Sequence, residues 1–292
     1  MVTRINKTGF TILELAIAMA FMSFLLLSIG FAIIQISNTY QKGVTIKTVN
    51  NNGRELVDEF SRTILASKYN NKGGFELVYS QTYGSVEGIE EEVPLHGVFC
   101  VGNYSYLWNT GYALNQKDDD GTAPSAENPT NEEDDYSASK AYLVLGDGSD
   151  DNKTVVKRDY TLVRVADTSR EACKSHEDNK VDNPNRYEIT KANENEYVEL
   201  LSPTEDNSSN PFANKNDLVL YDMVVFEPVY HSGSGHTLYS ASFILGTRSG
   251  GVDITTSGDF CTDKPDNFKT DFNYCSINKF NFAARATGGL AI

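Results

Sequence analysis

The sequence predicts an α+β protein: one long N-terminal helix, half of it apolar and half amphipathic, packed on an antiparallel β-sheet head that carries long polar loop insertions. Three observations predict it. Leu15–Ile36 is a 22-residue apolar run broken only by Ser23, Ser28, Gly30 and Gln35. Past that run no proline occurs until Pro94, and Tyr40, Val44, Val49, Gly53, Leu56, Phe60 and Ile64 recur every three to five residues, the spacing of one helix face. Near the C-terminus, Tyr239–Leu245 and Phe280–Ala286 alternate apolar and polar residues, the period of strands with one buried face.

The apolar run is long enough to cross a bilayer, for which about 20 such residues suffice. Arg4 and Lys7 precede it and no cation lies within it, so the expected topology leaves the leading peptide on the cytoplasmic side and everything beyond Ile36 outside. A secretory signal cut at Ala16-Ile17-Ala18 or Ala18-Met19-Ala20 would leave Phe21–Ile36 as an exposed apolar tail, which argues against cleavage there. A plain anchor leaves Glu14 unexplained. A lone carboxylate at the head of an apolar helix is costly in a membrane and implies a partner.

Lys7-Thr8-Gly9-Phe10-Thr11-Ile12-Leu13-Glu14-Leu15 resembles the cleavage and methylation signature of type IV prepilins and of the pseudopilins of type II secretion. The match covers about the first 35 residues. The resemblance implies that a prepilin peptidase cuts between Gly9 and Phe10, that the new amine of Phe10 is N-methylated, and that Glu14 neutralises the terminal amine of a neighbouring subunit during assembly. It divides the chain into a leader (1–9), a transmembrane and filament-core half-helix (10–36), an amphipathic half-helix (37–69) and a β-rich extracytoplasmic head (70–292). Elementary helix geometry is consistent with it: residue i+4 lies one turn along the same face, which sets Glu14 near the level of Phe10.

One helix is expected from Phe10 to about Tyr69, stopped by Asn70-Asn71-Lys72-Gly73-Gly74. Its stripe is not a strict heptad, which favours packing on a sheet over a coiled-coil stalk. Gly30, Gly43 and Gly53 are expected to weaken the rod locally. Further strands are expected at Phe75–Ser80, His96–Val101, Ala141–Leu145 and Tyr160–Ala166. Leu218–Glu227 is expected to pair with Thr237–Gly246 across a Pro228–His236 hairpin loop, giving a three-stranded core with the last strand. Asn115–Ser139 holds eight acids and one lysine and reads as a solvated loop, and Asp178–Glu199 and Ser202–Asp217 read as milder insertions.

With 25 Lys+Arg against 40 Asp+Glu, the net charge of −15 offers nothing to hold a phosphate backbone, and no nucleic-acid partner is expected. The four cysteines, none in a C-x-x-C spacing, permit two disulfides, read as Cys261–Cys275 and Cys100–Cys173 with crossed pairings left open. Three further groups have some of the features of a metal site. Asp118, Asp120, Gly121 and Glu127 imitate part of an EF-hand loop but lack its first acid; Asp147, Asp150 and Asp151 around Gly148 fit a tight turn equally well; His231 and His236 have no accompanying ligands. None is assigned, and no metal or cofactor is expected. The chain carries no G-x-S-x-G, P-loop or H-E-x-x-H motif, so the reading is structural rather than enzymatic.

The resulting expectation is a minor pilin of a type IV pilus, a fimbrial subunit contributing to filament assembly and to surface adhesion or motility. It would partner the prepilin peptidase, other pilin subunits through the helix, and the membrane before assembly. Its place would be the inner or cytoplasmic membrane as a single-pass protein, then the extracellular filament. The alternatives are a pseudopilin of a protein-secretion system and a competence-type pilin for DNA uptake, the latter disfavoured by the acidity.

Overall fold

The computed structural model describes residues 11–67, 78–85, 92–114, 140–146, 155–157, 160–174, 185–189, 197–201, 218–231, 236–248, 252–253, 260–261 and 275–287. The first of these form a single helix, α1 (Ile12–Ala66), 55 residues long and so roughly 80 Å from end to end. It is shorter at both ends than the spacing suggested. Thr11, extended at φ −79° and ψ 150°, caps its start, so helical geometry begins at Ile12, and Phe10 lies outside the described residues. Ser67 ends it: its N–H reaches the carbonyls of Thr63 and Ile64, and its Oγ donates to Ile64 at 2.6 Å. The expected stop at 70–74 lies outside the described residues.

A five-stranded antiparallel sheet takes β1 (Val78–Gly84), β2 (Val93–Val101), β3 (Tyr104–Asn109), β6 (Leu162–Ala166) and β8 (Tyr197–Leu201) in that order. Between β2 and β3 a two-residue turn places Gly102 at φ 60°, a conformation that costs glycine little. Phe99, Val101, Tyr106 and Trp108 face the core beneath α1, while Val98, Cys100, Leu107, Val163 and Val165 face the opposite way. That second face is covered by a small sheet of β4 (Tyr142–Leu145), β5 (Val155–Lys157) and β7 (Arg186–Ile189), in which β4 and β7 run parallel. The parallel pair departs from the all-antiparallel expectation.

The three-stranded C-terminal core is present as expected. Its order is β13–β10–β9, from β9 (Leu218–His231), β10 (His236–Thr247) and β13 (Ile277–Thr287). β9 and β10 run further than the alternation indicated, so that His231 and His236 are register partners and the connection is shorter than Pro228–His236. Residues β11 (Val252–Asp253) and β12 (Phe260–Cys261) form a separate two-stranded ladder. A short turn of helix, α2 (Gly111–Leu114), covers the outer face of β9 through Tyr112, which meets the Tyr221 ring edge-on at 5.5 Å.

Helix and sheets meet at Phe60, which is fully buried. Its ring stands edge-on to Phe99 (6.2 Å), Tyr106 (5.0 Å) and Phe243 (5.9 Å) and stacks on Phe282 (5.7 Å), so one side chain of α1 joins both large sheets. The predicted stripe holds from Val49 through Gly53, Leu56, Phe60 and Ile64, all buried. Tyr40 and Val44, placed in it by spacing, remain 72% and 45% exposed because the head first buries α1 at Thr45.

Candidate assembly site on the N-terminal helix

The first turn of α1 is closed by a reciprocal pair. The Glu14 N–H donates to Thr11 Oγ1 at 3.3 Å, while Glu14 Oε2 accepts from both the N–H and the hydroxyl of Thr11 at 2.9 Å each. This is a capping box, and Thr11-Ile12-Leu13-Glu14 is its sequence pattern. Spacing alone leaves Glu14 without an internal partner, and the cap supplies one. The Thr-x-x-Glu pattern carries that signal, and it gives the carboxylate two donors from its own first turn. All three contacts use Oε2 or the backbone, so the cap occupies one oxygen of the carboxylate.

Beyond the cap, α1 offers one apolar surface. No residue from Ile12 to Val44 is buried against the head, and side chains such as Leu13, Phe24, Leu27, Phe31 and Ile36 are all at least 64% exposed. The helix is long and apolar enough to cross a membrane. Its hydroxyls do not interrupt that surface: Ser23 donates to the carbonyl of Met19 and Ser28 to that of Phe24, both at 2.8 Å. Bonded back one turn, they bring no unsatisfied donor into hydrocarbon.

The outer part of α1 is fastened to the head by polar contacts as well as by Phe60. Thr63 Oγ1 and the Tyr106 hydroxyl lie 2.7 Å apart, Tyr106 donates to Glu59 Oε1 at 3.2 Å, and Glu59 also pairs with Arg164 of β6. Arg164 in turn lies 4.9 Å over the Tyr104 ring. Burial pushes the Tyr106 phenol well above its ordinary pKa, which keeps it a neutral donor. These contacts fix the orientation of the exposed rod relative to the sheets.

Of the residues singled out from sequence, Gly9 and Phe10 lie outside the described residues, as do Asp118, Asp120, Gly121, Glu127, Asp147, Gly148, Asp150 and Asp151. Cys100 and Cys173 form a disulfide, with Cα atoms 6.4 Å apart across 73 positions. Cys275 is buried and disulfide-bonded, while the side chain of Cys261 lies outside the described residues. Sequence reasoning did not anticipate the buried carboxylate beside the first bridge. Asp167 accepts from Ser105 Oγ at 2.8 Å, from Ala172 N–H at 3.0 Å and from Glu171 N–H at 2.9 Å, and so caps the helical turn that carries Cys173. Nor did it anticipate buried His96, held between the Tyr187 hydroxyl and Asn185 Oδ1 at 2.9 Å each. Both are satisfied core groups. Among the described residues no group of three or more His, Cys, Asp or Glu is placed to hold a metal ion.

No protein-family model, curated protein or solved structure matches this chain. What stands is the architecture itself: an apolar N-terminal helix able to cross a membrane, continued as the spine of a β-rich head, an arrangement compatible with a type IV pilin-like subunit.

Proposed function

We propose that this chain is a minor subunit of a type IV pilus, held in the membrane by the apolar half of α1 until that same half is transferred to a filament core. The observation that carries the reading is the division of one helix. From Ile12 to Val44 it buries nothing in its own head, whereas from Thr45 to Ile64 it supplies the head's central residues. The apolar stretch Ile12–Ile36 is roughly 37 Å long, enough for the ~30 Å core of a bilayer, and identical rods would cover the whole exposed length to Val44. Glu14, at the head of the rod, would neutralise an amine supplied by a neighbour. The prepilin peptidase and the other pilins are the partners this requires, and no step calls for a cofactor.

Antibody labelling of sheared external fibres tests the proposal. Labelled fibres support a surface pilus. Label confined to envelope-bound assemblies would assign the chain to a secretion pseudopilus, and label found only on unassembled membrane protein would overturn filament function altogether.

A further inference from the structure

Two of the chain's four histidines occupy opposed positions on one ladder. His231 ends β9, His236 begins β10, and the antiparallel register sets them directly across from each other. Residues so placed share a face of the sheet, with Cβ atoms about 4.5–5.5 Å apart. Leu238, two positions along β10 and therefore on the same face, is exposed, as is Phe226 further along that face, so this end of the sheet is open to solvent. Spacing in the sequence shows only two histidines flanking Ser232-Gly233-Ser234-Gly235; the register makes them a pair. Neutral imidazole is a ligand that suits zinc, copper and nickel, whereas calcium and magnesium take oxygen. With metal–nitrogen bonds of about 2.0–2.1 Å, two imidazoles rooted on opposed positions are within reach of one ion. Arg285, opposite Leu238 on β13, is exposed on the same face and opposes a bound cation, while the net charge of −15 favours one.

We propose that His231 and His236 form a two-imidazole site for a divalent transition-metal ion of the zinc and copper class, which clips the open end of the β9–β10 ladder and takes water in its remaining positions. The Ser-Gly-Ser-Gly connection brings no apolar side chain to hold that end closed. An ion bound by both strands favours the paired register over frayed or slipped ones, because only the observed register puts the two histidines on one face. The proposal requires the ladder and not the filament, so either reading can fail without the other.

Full-length protein in detergent, stripped with a chelator and held at about pH 7.5 so that the imidazoles are neutral, provides the test. Calorimetric titration with Zn2+ should find a site that excess Ca2+ does not displace, and the Cu2+ form should show nitrogen hyperfine structure from two imidazoles in its electron paramagnetic resonance spectrum. His231→Gln and His236→Gln should each weaken Zn2+ binding roughly tenfold or more, since even changes behind a metal ligand reach that size. His176→Gln should leave it unchanged. His236→Gln combined with Thr237→His moves the histidine one position along β10, to the face opposite His231, and should not restore binding. Near-ultraviolet circular dichroism confirms that each variant keeps its fold. No site in the wild type, displacement by Ca2+, undiminished binding in either single variant, an equal loss for His176→Gln, or restored binding in the shifted variant would each overturn the proposal.

Discussion

The Phe280 ring of β13 occupies the space that a side chain at Gly53 of α1 would need, and it stacks on Phe243 with ring centroids 5.3 Å apart. The helix therefore carries a glycine in its middle as a seat for an aromatic, a role that helix propensity alone does not reveal. Gly43, with nothing within 4 Å of its would-be side chain, has no such role. Replacing Gly43 by alanine should be neutral or stabilise by up to ~1 kcal/mol. Gly53→Ala gains the same propensity but must displace Phe280, for which overpacking costs about 1–3 kcal/mol, so the net change should be destabilising. Urea unfolding of the two variants in detergent reads the opposite signs directly.

The Cys100–Cys173 bridge closes a loop across 73 positions and anchors the turn that Asp167 caps. The loop-entropy relation gives such a bridge about 4 kcal/mol, more than the ~3 kcal/mol expected for the 15-residue Cys261–Cys275 loop. Cys100→Ser should therefore lower stability more than Cys261→Ser, and non-reducing peptide mapping should recover both bridges. Free thiols or crossed pairing in the oxidised wild type would contradict this assignment.

Burial raises the pKa of Tyr106, Tyr160, Tyr187 and Tyr221 above the ordinary phenol value of 10. A folded pKa above the unfolded one means that the native state holds its protons longer, so the stabilisation is complete below pH 10 and falls as pH rises past it. The head should unfold cooperatively in alkali, with these phenols appearing at 295 nm only as tertiary structure is lost. Gradual ionisation with near-ultraviolet circular dichroism unchanged would show that they are not buried as described.

Much of this fold was legible because local pattern and burial coincide. The stripe from Val49 to Ile64 and the alternation in Tyr239–Leu245 name residues that do face the core. Strand β3 was missed although Gly102-Asn103 between two apolar runs is a hairpin signal, since Tyr104–Asn109 is buried on both faces and does not alternate. Strand β7 and the start of β8 lie inside Asp178–Glu199, whose composition is that of a polar insertion. Four residues, Arg186–Ile189, are too few for a period, and their strand character comes from burying Tyr187 and Ile189 against β4 and the five-stranded sheet. At the candidate site, the apolar rod and Glu14 were legible and the Thr11 cap was overlooked. The Asn50–Asn278 contact was not legible at all, because it joins residues 228 positions apart.

The Thr11–Glu14 cap separates two roles of the carboxylate. Glutamine at position 14 keeps an oxygen for the Thr11 N–H and removes the charge, so Glu14→Gln should preserve helix content and membrane insertion while incorporation into fibres falls. Thr11→Val removes the hydroxyl and keeps the charge, and should loosen the first turn by ~1 kcal/mol. Comparing the fibre-to-membrane ratio of the two variants by quantitative immunoblotting isolates the charge. Unimpaired incorporation of Glu14→Gln would remove the pairing argument. The bulk of the head predicts low copy number, so the chain should be scarcer than another pilin in purified fibres.

The proposed filament function requires that this helix be matured and assembled as a pilin. Intact-mass and N-terminal peptide analysis of the membrane-extracted protein tests it most directly. The predicted result is a chain beginning at Phe10 with a single N-methyl group, and an uncleaved precursor when Gly9 is replaced by valine. A mature terminus at any other residue, or an intact Met1–Gly9 leader in cells with an active prepilin peptidase, would contradict it.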